Sequence, residues 1–397
     1  MPKRVIAIIT AGFLTLFIAF AIRYAYGLVL PHMLAALNIS KTEAGVIFSS
    51  YFIAATLLAP LIGILIDRFD ARIILSVFVA ILGVGTCLMS FASSVLQASI
   101  FFAIAGIGHS ACWAAVVIVV MRWVSPQRRA IAVSIVDLGT TAGIGVWSIL
   151  VPIIIRDHSW RTVWLSLGIT GLVVAAMNFF LIKSHPDAQP GAPEPGTAQK
   201  TEASVDGSYK VIFRDARFYL IGFSYLFISF SIIIPFTFLI SYTTQKLMIP
   251  YASATSLLLA MAVAGAIGKL ILAHISDRVG RIKIMMLCGL LTALGSLGMA
   301  YARELSVLWI FSAVFGIGYG TLWAVYAASA RDLFPGNLSG TILGLWTLFH
   351  GVGSVIAPVL SGWTIDATGT YYWAFILAVL SSVLSLLLLL PVRRVQS

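Results

Sequence analysis

The sequence has few charged residues, and this scarcity excludes an ordinary water-soluble domain. Only 10% of its 397 residues are charged and 60% are hydrophobic, whereas soluble domains carry about 25% charged residues. A chain with so little polar surface cannot cover itself in water, so lipid must surround much of it. The charged residues that give the net charge of +11 lie mostly in short segments between apolar runs. This pattern is typical of a membrane protein and does not favour nucleic-acid binding.

Cysteines and enzyme motifs are also scarce. The three cysteines, Cys87, Cys112 and Cys288, lie within apolar runs and lack metal-ligand spacing, which indicates small buried hydrophobic residues. The sequence contains no Walker loop, dinucleotide fingerprint, zinc-type His-Glu pair or nucleophile elbow. We therefore expect no enzyme activity, no catalytic residues, no metal and no other cofactor. Ion gradients or exchange, rather than ATP, would supply the energy for any transport.

Long apolar runs are what the sequence has in abundance. A membrane-spanning helix needs about 20 mostly apolar residues. The runs that meet this length predict an all-α membrane protein with twelve spans. The predicted spans are 6–30, 43–66, 73–93, 96–121, 130–154, 161–183, 217–241, 252–275, 283–302, 306–329, 338–362 and 371–391.

One long connection divides these spans into six and six. Residues 184–215 contain four prolines together with Gly, Ala, Glu and Lys, a composition typical of a flexible linker. We predict a first six-helix half over 1–183, a cytoplasmic linker over 184–215 and a second six-helix half over 216–397. An N-terminus inside places 18 Lys and Arg in the cytoplasm and five outside. This asymmetry predicts a multi-pass protein of the cell inner (plasma) membrane with both termini cytoplasmic.

Two patches of the sequence recur 210 positions later. The dipeptide Asp67-Arg68 recurs at 277–278. A second patch repeats at the same offset, where Gly106, Gly108 and Trp113 match Gly316, Gly318 and Trp323. Two separate patches that share one offset indicate internal duplication of the two halves.

Charged motifs follow the second and eighth spans. The first begins at Gly63 and continues through Asp67-Arg68 to Asp70 and Arg72, and the second runs over 276–281. Together with the six-plus-six spans, these motifs resemble the major facilitator superfamily across nearly the whole chain. The resemblance implies two halves that rock around a central cavity. Asp70 departs from the glycine that is usual in this family.

Charges at the ends of these spans have an expected role in gating. Acidic and arginine side chains at helix ends can pair with neighbouring helices in one conformation and release them in the other. The alternative is that these charges only set the topology. The predicted gating residues are Asp67, Arg68, Arg72, Arg122, Asp277, Arg278, Arg281 and Arg331.

Two cations lie within predicted spans, where an ionisable side chain costs about 3 kcal/mol or more and usually faces a cavity. They are Arg23 in the first half and Lys269 in the second. The position of Lys269 resembles that of the span-eight cation in monocarboxylate and oxalate/formate carriers, and Arg23 resembles the span-one arginine of anion:cation symporters. This resemblance implies that both cations converge on one carboxylate or phosphate ligand.

Other polar residues within spans leave alternatives open. Asp137 is either the acceptor of a coupling proton or a permanent partner of Arg122 or Arg128. His109 and His350 contact the substrate or a proton, or are satisfied structural groups. The predicted substrate-binding set is Arg23, Lys269, His109, Tyr26, Tyr319, Trp323 and His350, with Asp137 in the coupling role.

The expected function is secondary active transport of a small organic anion, a monocarboxylate in the first instance, by proton symport or anion exchange. An efflux carrier of a drug-like compound or another small metabolite is the first alternative, but it would need a carboxylate in the cavity, and only Asp137 offers one. A non-transporting ligand sensor is the second. The expected partners are the organic anion, protons and the lipid bilayer, with no nucleic acid and no obligate protein partner.

Overall fold

A computed structural model describes residues 3–125, 128–182, 212–334 and 338–394. Within these ranges, eight residues are described by backbone alone: Lys3, Gly63, Ile64, Ile66, Asp67, Ala130, Ser339 and Arg394. The predicted linker over 184–215 lies outside the described residues except for its last four, so the predicted domain boundaries stay a prediction.

The described residues form twelve α-helices, and each is long and apolar enough to cross a membrane. This confirms the predicted all-α fold with twelve spans. The helices are α1 Lys3–Leu37, α2 Lys41–Arg68, α3 Ala71–Met89, α4 Val95–Trp123, α5 Arg129–Asp157, α6 Trp160–Leu181, α7 Ala216–Gln245, α8 Tyr251–Val279, α9 Arg281–Tyr301, α10 Leu305–Leu333, α11 Ser339–Thr368 and α12 Tyr372–Arg394.

The turn after α2 differs from the turn after α8. Gly280 joins α8 to α9 with a φ of 102°, a backbone conformation that favours glycine. Asp70, at the equivalent place, has a φ of −59° and accepts a hydrogen bond from the backbone N–H of Arg72. The first turn therefore needs no glycine, and the aspartate caps the N-terminus of α3 instead.

Helix packing follows the same scheme in α1–α6, the first half, and in α7–α12, the second half. In the first half α1 packs on α5 and α6, α2 on α4, and α3 on α4 and α6. In the second half the same pairs recur six helices later, from α7 with α11 and α12 to α9 with α10 and α12. The architecture thus contains two similar bundles of six helices.

Glycine contacts repeat at the offset that the sequence predicts. A Cβ atom on Gly106 would lie under 3.0 Å from the backbone of Tyr51, and one on Gly316 would lie under 3.0 Å from the backbone of Met261. Tyr51 and Met261 are themselves 210 positions apart. The small residues allow α4 to pack closely on α2, and α10 on α8.

The two halves meet toward one end of the bundle. Consecutive helices run in alternate directions, so α1 begins and α12 ends at one face, which we name the termini face. The opposite face, where α1 ends and α2 begins, is named the sealed face. The halves contact each other through three helix pairs: α2 with α11 and α1 with α7, and α5 with α8, whose contacts include the Asp137–Lys269 ion pair nearer the termini face.

The contact between α2 and α11 is the closest of these. The backbone N–H groups of Lys41 and Thr42 donate to the carboxylate of Asp366 at 3.1 and 2.8 Å. One turn further along α2, a Cβ atom on Gly45 would lie under 3.0 Å from the backbone of Pro358. The Asp366 carboxylate satisfies free N–H groups at the start of α2, and the glycine lets the two backbones touch.

Candidate functional site

Arg23 lies close to the middle of α1 and is only 6% exposed. Its guanidinium carbon lies 4.7 Å from the ring centre of Phe52, 5.2 Å from Tyr24 and 5.8 Å from Phe20. Nε and Nη2 are buried without a hydrogen-bond partner among the described residues. A buried guanidinium that lacks an anion is costly, so this group is a candidate binding element.

His109 on α4 stands beside this arginine. Its ring centre is 5.4 Å from Phe20 and 5.4 Å from Tyr51, and Phe20 is also a neighbour of the Arg23 guanidinium. The Nδ1 atom of His109 and the hydroxyl of Tyr51 are also buried without a partner. Three side chains of the first half therefore bring unfilled hydrogen-bonding capacity to one place.

The second half supplies a matching group around His350 on α11. Its ring centre lies 4.6 Å from Trp323 and 5.2 Å from Tyr225. The indole Nε1 of Trp323 is buried without a partner. A Cβ atom on Gly351, adjacent to His350, would lie under 3.0 Å from the side chain of Thr56 on α2, one turn after Phe52. The region between this group and the cluster around Arg23 is therefore the candidate substrate space.

Two tyrosine hydroxyls join the halves next to this space. The hydroxyl of Tyr319 on α10 donates to the hydroxyl of Tyr24 on α1 at 3.2 Å. Above them, toward the sealed face, Phe236 on α7 lies against Tyr24 with ring centres 4.1 Å apart. These aromatic contacts close the space at its sealed end.

Lys269 and Asp137 form an ion pair between α8 and α5. The Lys269 Nζ lies 2.7 Å from Oδ2 of Asp137, and it also donates to the backbone carbonyl of Asp137 at 3.1 Å and to Oγ1 of Thr140 at 3.0 Å. The lysine side chain is 9% exposed and the aspartate 21%. Asp137 therefore pairs with Lys269 of the other half, and not with Arg122 or Arg128, the two partners considered from sequence.

Tyr26 packs within the first half and shares one ring neighbour, Phe102, with Tyr51 of the cluster around Arg23. Its hydroxyl donates to the backbone carbonyl of Ala44 at 2.6 Å. Its ring is fully buried and stacks on Phe48 and Phe102 within the first half, with ring centres 4.6 and 5.3 Å away. These contacts hold α1 against α2 and α4.

The predicted gating residues lie at the termini face. Arg281 pairs with Asp277, and its Nε lies 2.9 Å from the carboxylate of Asp332 at the end of α10. Arg331 beside it is exposed. Arg281 therefore contacts α10 through Asp332, the residue after the predicted Arg331.

The remaining charges of this face have varied surroundings. Arg68 and Arg278 are exposed and Arg122 is half-buried. The guanidinium carbon of Arg72 lies 4.3 Å from the ring centre of Phe179 on α6. The side chain of Asp67 lies outside the described residues.

Several residues near the site were not singled out from sequence. Tyr51 and Phe52 of α2 lie against His109 and Arg23, and Thr140 contacts Lys269. Aromatic and hydroxyl side chains are common in membrane spans, so composition alone does not distinguish these three. The one sequence signal near Tyr51 is the recurrence of Gly106 at position 316, since Gly106 packs against the backbone of Tyr51.

The family model of the Major Facilitator Superfamily matches residues 12–248 and 234–397. The chain belongs to the major facilitator superfamily. This is a family of membrane transporters and not of enzymes, which agrees with the expectation from sequence. The protein is therefore a secondary transporter of small solutes that crosses the membrane many times.

Characterised relatives within the superfamily match most of the chain. A hexuronate transporter of Bacillus subtilis is 25% identical over 92% of this chain and 90% of its own length. A cis,cis-muconate transport protein of Acinetobacter baylyi is 24% identical over 83% and 80%. Monocarboxylate transporter 12 of Xenopus laevis is 23% identical over 84% and 76%.

Solved structures show the same fold at low sequence identity. The nucleoside transporter NupG superposes with a TM-score of 0.77 at 13% identity, covering 97% of this chain and 98% of its own. A bacterial homologue of the lysosomal transporter Spinster, in an inward-facing conformation, gives 0.76 at 16% identity, covering 98% and 96%. At this identity the likeness establishes the fold alone.

Proposed function

We propose that this protein is a secondary active transporter of small organic anions, with monocarboxylates as its substrates. The observation that carries the proposal is the buried Arg23, whose Nε and Nη2 lack partners among the described residues. Arginine binds carboxylates through paired N–H donors, and such charge-assisted bonds are about twice as strong as neutral ones. A bound carboxylate would offset the free-energy cost of burying the unpaired guanidinium. The site should therefore strongly prefer an anion.

Substrates named for the relatives fit the same chemistry. Hexuronates, muconate and monocarboxylates all carry at least one carboxylate, although their bodies differ in size and polarity. The rings around Arg23 and His350 offer apolar walls, while His109 Nδ1, the Tyr51 hydroxyl and Trp323 Nε1 offer polar contacts. This combination supports a small carboxylate whose body contacts aromatic side chains.

The efflux alternative finds less support. A cavity for a cationic drug would need a free carboxylate, and Asp137, the one considered for that role, is paired with Lys269. The described part of the cavity is therefore better suited to an anion than to a cation.

Transport would proceed by rocking of the two halves around the site. In the described conformation the halves meet at the sealed face, so the substrate would exchange with the termini face. By the distribution of Lys and Arg, we assign the termini face to the cytoplasm and the protein to the inner (plasma) membrane. Asp67, Asp277 and the arginines of that face would then pair and separate as the cytoplasmic entrance closes and opens.

Coupling to protons is the finer part of the proposal. Asp137 is a candidate proton acceptor because protonation would break its ion pair with Lys269 and so weaken a contact between the halves. His109 is the other candidate, since its Nδ1 is free of partners among the described residues and its ring lies against Phe20, a neighbour of Arg23. The alternative to symport is anion exchange.

Uptake into proteoliposomes tests this function. We expect radiolabelled lactate, pyruvate or related acids to enter in a saturable manner, and Arg23→Ala to reduce the uptake by about a hundredfold, as loss of a charge-assisted pair of about 3 kcal/mol implies. Arg23→Lys, which keeps the charge but not the paired donors, should retain part of it. The same assay with a pH gradient, in Asp137→Asn and His109→Gln, separates symport from exchange. Normal uptake by Arg23→Ala would contradict the proposed site.

A further inference from the structure

The ion pair between α5 and α8 changes the charge that the cavity offers to a substrate. The ammonium group of Lys269 has three donors, and its three oxygen neighbours are Oδ2 and the carbonyl of Asp137 and Oγ1 of Thr140. The lysine is thus neutralised by a carboxylate and its hydrogen-bonding capacity is filled. In this arrangement it has no free donor for a substrate.

Arg23 has the opposite surroundings. Its described neighbours are the aromatic rings of Phe20, Tyr24 and Phe52, and among the described residues no acceptor satisfies Nε or Nη2. The described part of the site therefore contains one uncompensated positive charge, that of Arg23, and the ion pair adds none. A single carboxylate on the substrate would bring the loaded site to neutrality.

A short path of contacts connects the ion pair to the arginine. Tyr24 lies against Arg23, and its hydroxyl accepts from the hydroxyl of Tyr319. On α10, the backbone of Ile317, two residues before Tyr319, would lie within 3.0 Å of a Cβ atom on Gly268, the residue before Lys269. The contacts therefore lead from Arg23 through Tyr24 and Tyr319 to the segment of α8 that holds Lys269.

We propose that Asp137 determines the charge selectivity of the transporter by withholding Lys269 from the substrate. A monoanion would bind through Arg23 alone. The second carboxylate of a dianion would meet an occupied lysine and the negative charge of Asp137, which disfavours it. Neutralising Asp137 would free Lys269 to bind that second carboxylate and convert the site to one for dianions. This inference rests on the proposed function, because it assumes that Arg23 binds a substrate carboxylate.

Two pairs of acids that differ in charge but share a skeleton test the proposal. Crotonate and fumarate are four-carbon unsaturated acids with one and two carboxylates. Sorbate and trans,trans-muconate form the same contrast with six carbons and a longer reach. Their affinities for the purified full-length protein are measured by ligand-induced thermal stabilisation, so that binding is read without a turnover step.

The wild-type protein should bind crotonate or sorbate at least about tenfold more tightly than the matched dianion. Asp137→Asn keeps the shape and an oxygen acceptor beside Lys269 but removes the charge. In Asp137→Asn we expect the ratio of dianion affinity to monoanion affinity to rise by about tenfold or more. The rise should occur for the acid pair, four-carbon or six-carbon, whose dianion is long enough to reach both Arg23 and Lys269. In Asp137→Asn/Lys269→Gln, which lacks both charges, this gain should disappear.

The outcomes separate the inference from the proposed function. If none of the four acids nor lactate or pyruvate binds to the wild-type protein, the proposed function fails and the inference falls with it. If monoanions bind but wild type accepts the dianions equally well, the inference alone is overturned, without any variant being needed. An unchanged ratio in Asp137→Asn, or a gain that persists in the double variant, also overturns it.

Discussion

The sealed face and the termini face differ in which groups their contacts join. At the sealed face, close backbone contacts cross between the halves, as between Gly45 and Pro358 or between Asp366 and the start of α2. At the termini face the described ion pairs join residues of one half, as between Arg281 and Asp332 or between Arg217 and Asp215.

This difference shows how the fold can favour one conformation without fixing it. Crossing contacts at the sealed face depend on close backbone packing, which a substitution by a larger residue would prevent. Ion pairs at the termini face are partly exposed, and each contributes about 1 kcal/mol or less. The close backbone packing decides whether the sealed face can close. The ion pairs affect how readily the termini face closes.

The largest effect is expected at the close contact between α2 and α11. In Gly45→Ala the added methyl group would overlap the backbone of Pro358, and no change of side-chain rotamer could relieve it. Overpacking of this kind costs about 1–3 kcal/mol, so transport should fall by about tenfold or more. Labelling of a cysteine introduced near Lys41 should increase, because the sealed face closes less often.

The control for this variant is Gly344→Ala on α11. A Cβ atom there would meet nothing within 4 Å, so the same chemical change should leave transport and labelling as they are. Equal behaviour of the two alanine variants would show that the close backbone contact is unimportant to closure.

An intermediate effect on transport, but a larger effect on folding stability, is expected at the Asp137–Lys269 pair, the contact between the halves that lies nearer the termini face. Removing one member of a buried pair leaves an uncompensated charge and costs about 3–5 kcal/mol. Asp137→Ala and Lys269→Met should each lower the midpoint of thermal unfolding by several degrees, and the double variant should lose less than the sum. Additive losses would mean that the two side chains do not stabilise each other.

Asp157→Ala provides a matched control on the same helix. Asp157 is an exposed carboxylate that pairs with the adjacent Arg156 rather than across the halves. Its removal should leave the unfolding midpoint unchanged, so any general effect of losing a carboxylate from α5 would be visible here.

The smallest effect is expected at the termini face. Asp277 is 57% exposed and pairs with Arg281 one turn away on the chain. Asp277→Asn should slow turnover by about two- to fivefold, in proportion to a loss of about 1 kcal/mol or less, while substrate affinity changes little because the site is remote. Asp277→Glu, which keeps the charge, should preserve turnover. A large change in affinity at normal turnover would contradict a gating role.

The local features of this protein were predictable from sequence because they depend on composition and spacing. Apolar runs predicted twelve spans, and the described helices confirm them. The recurring Gly106 and Gly316 predicted a duplicated structure, and both glycines contact equivalent backbones. The burial of Arg23 also followed from its position deep in an apolar run, since few other surroundings are available to a residue there.

Pairings between distant helices could not be predicted in the same way. Asp137 lies two turns into α5, and the sequence offered the nearby Arg122 and Arg128 as partners. The tertiary structure instead brings Lys269 to it from 132 positions away. The sequence by itself determined which segments enter the membrane and which of them are repeats, because hydropathy and glycine spacing are local properties. Only the tertiary structure decided that Lys269 is neutralised while Arg23 is not, because that depends on how each helix is rotated and on where the two halves touch.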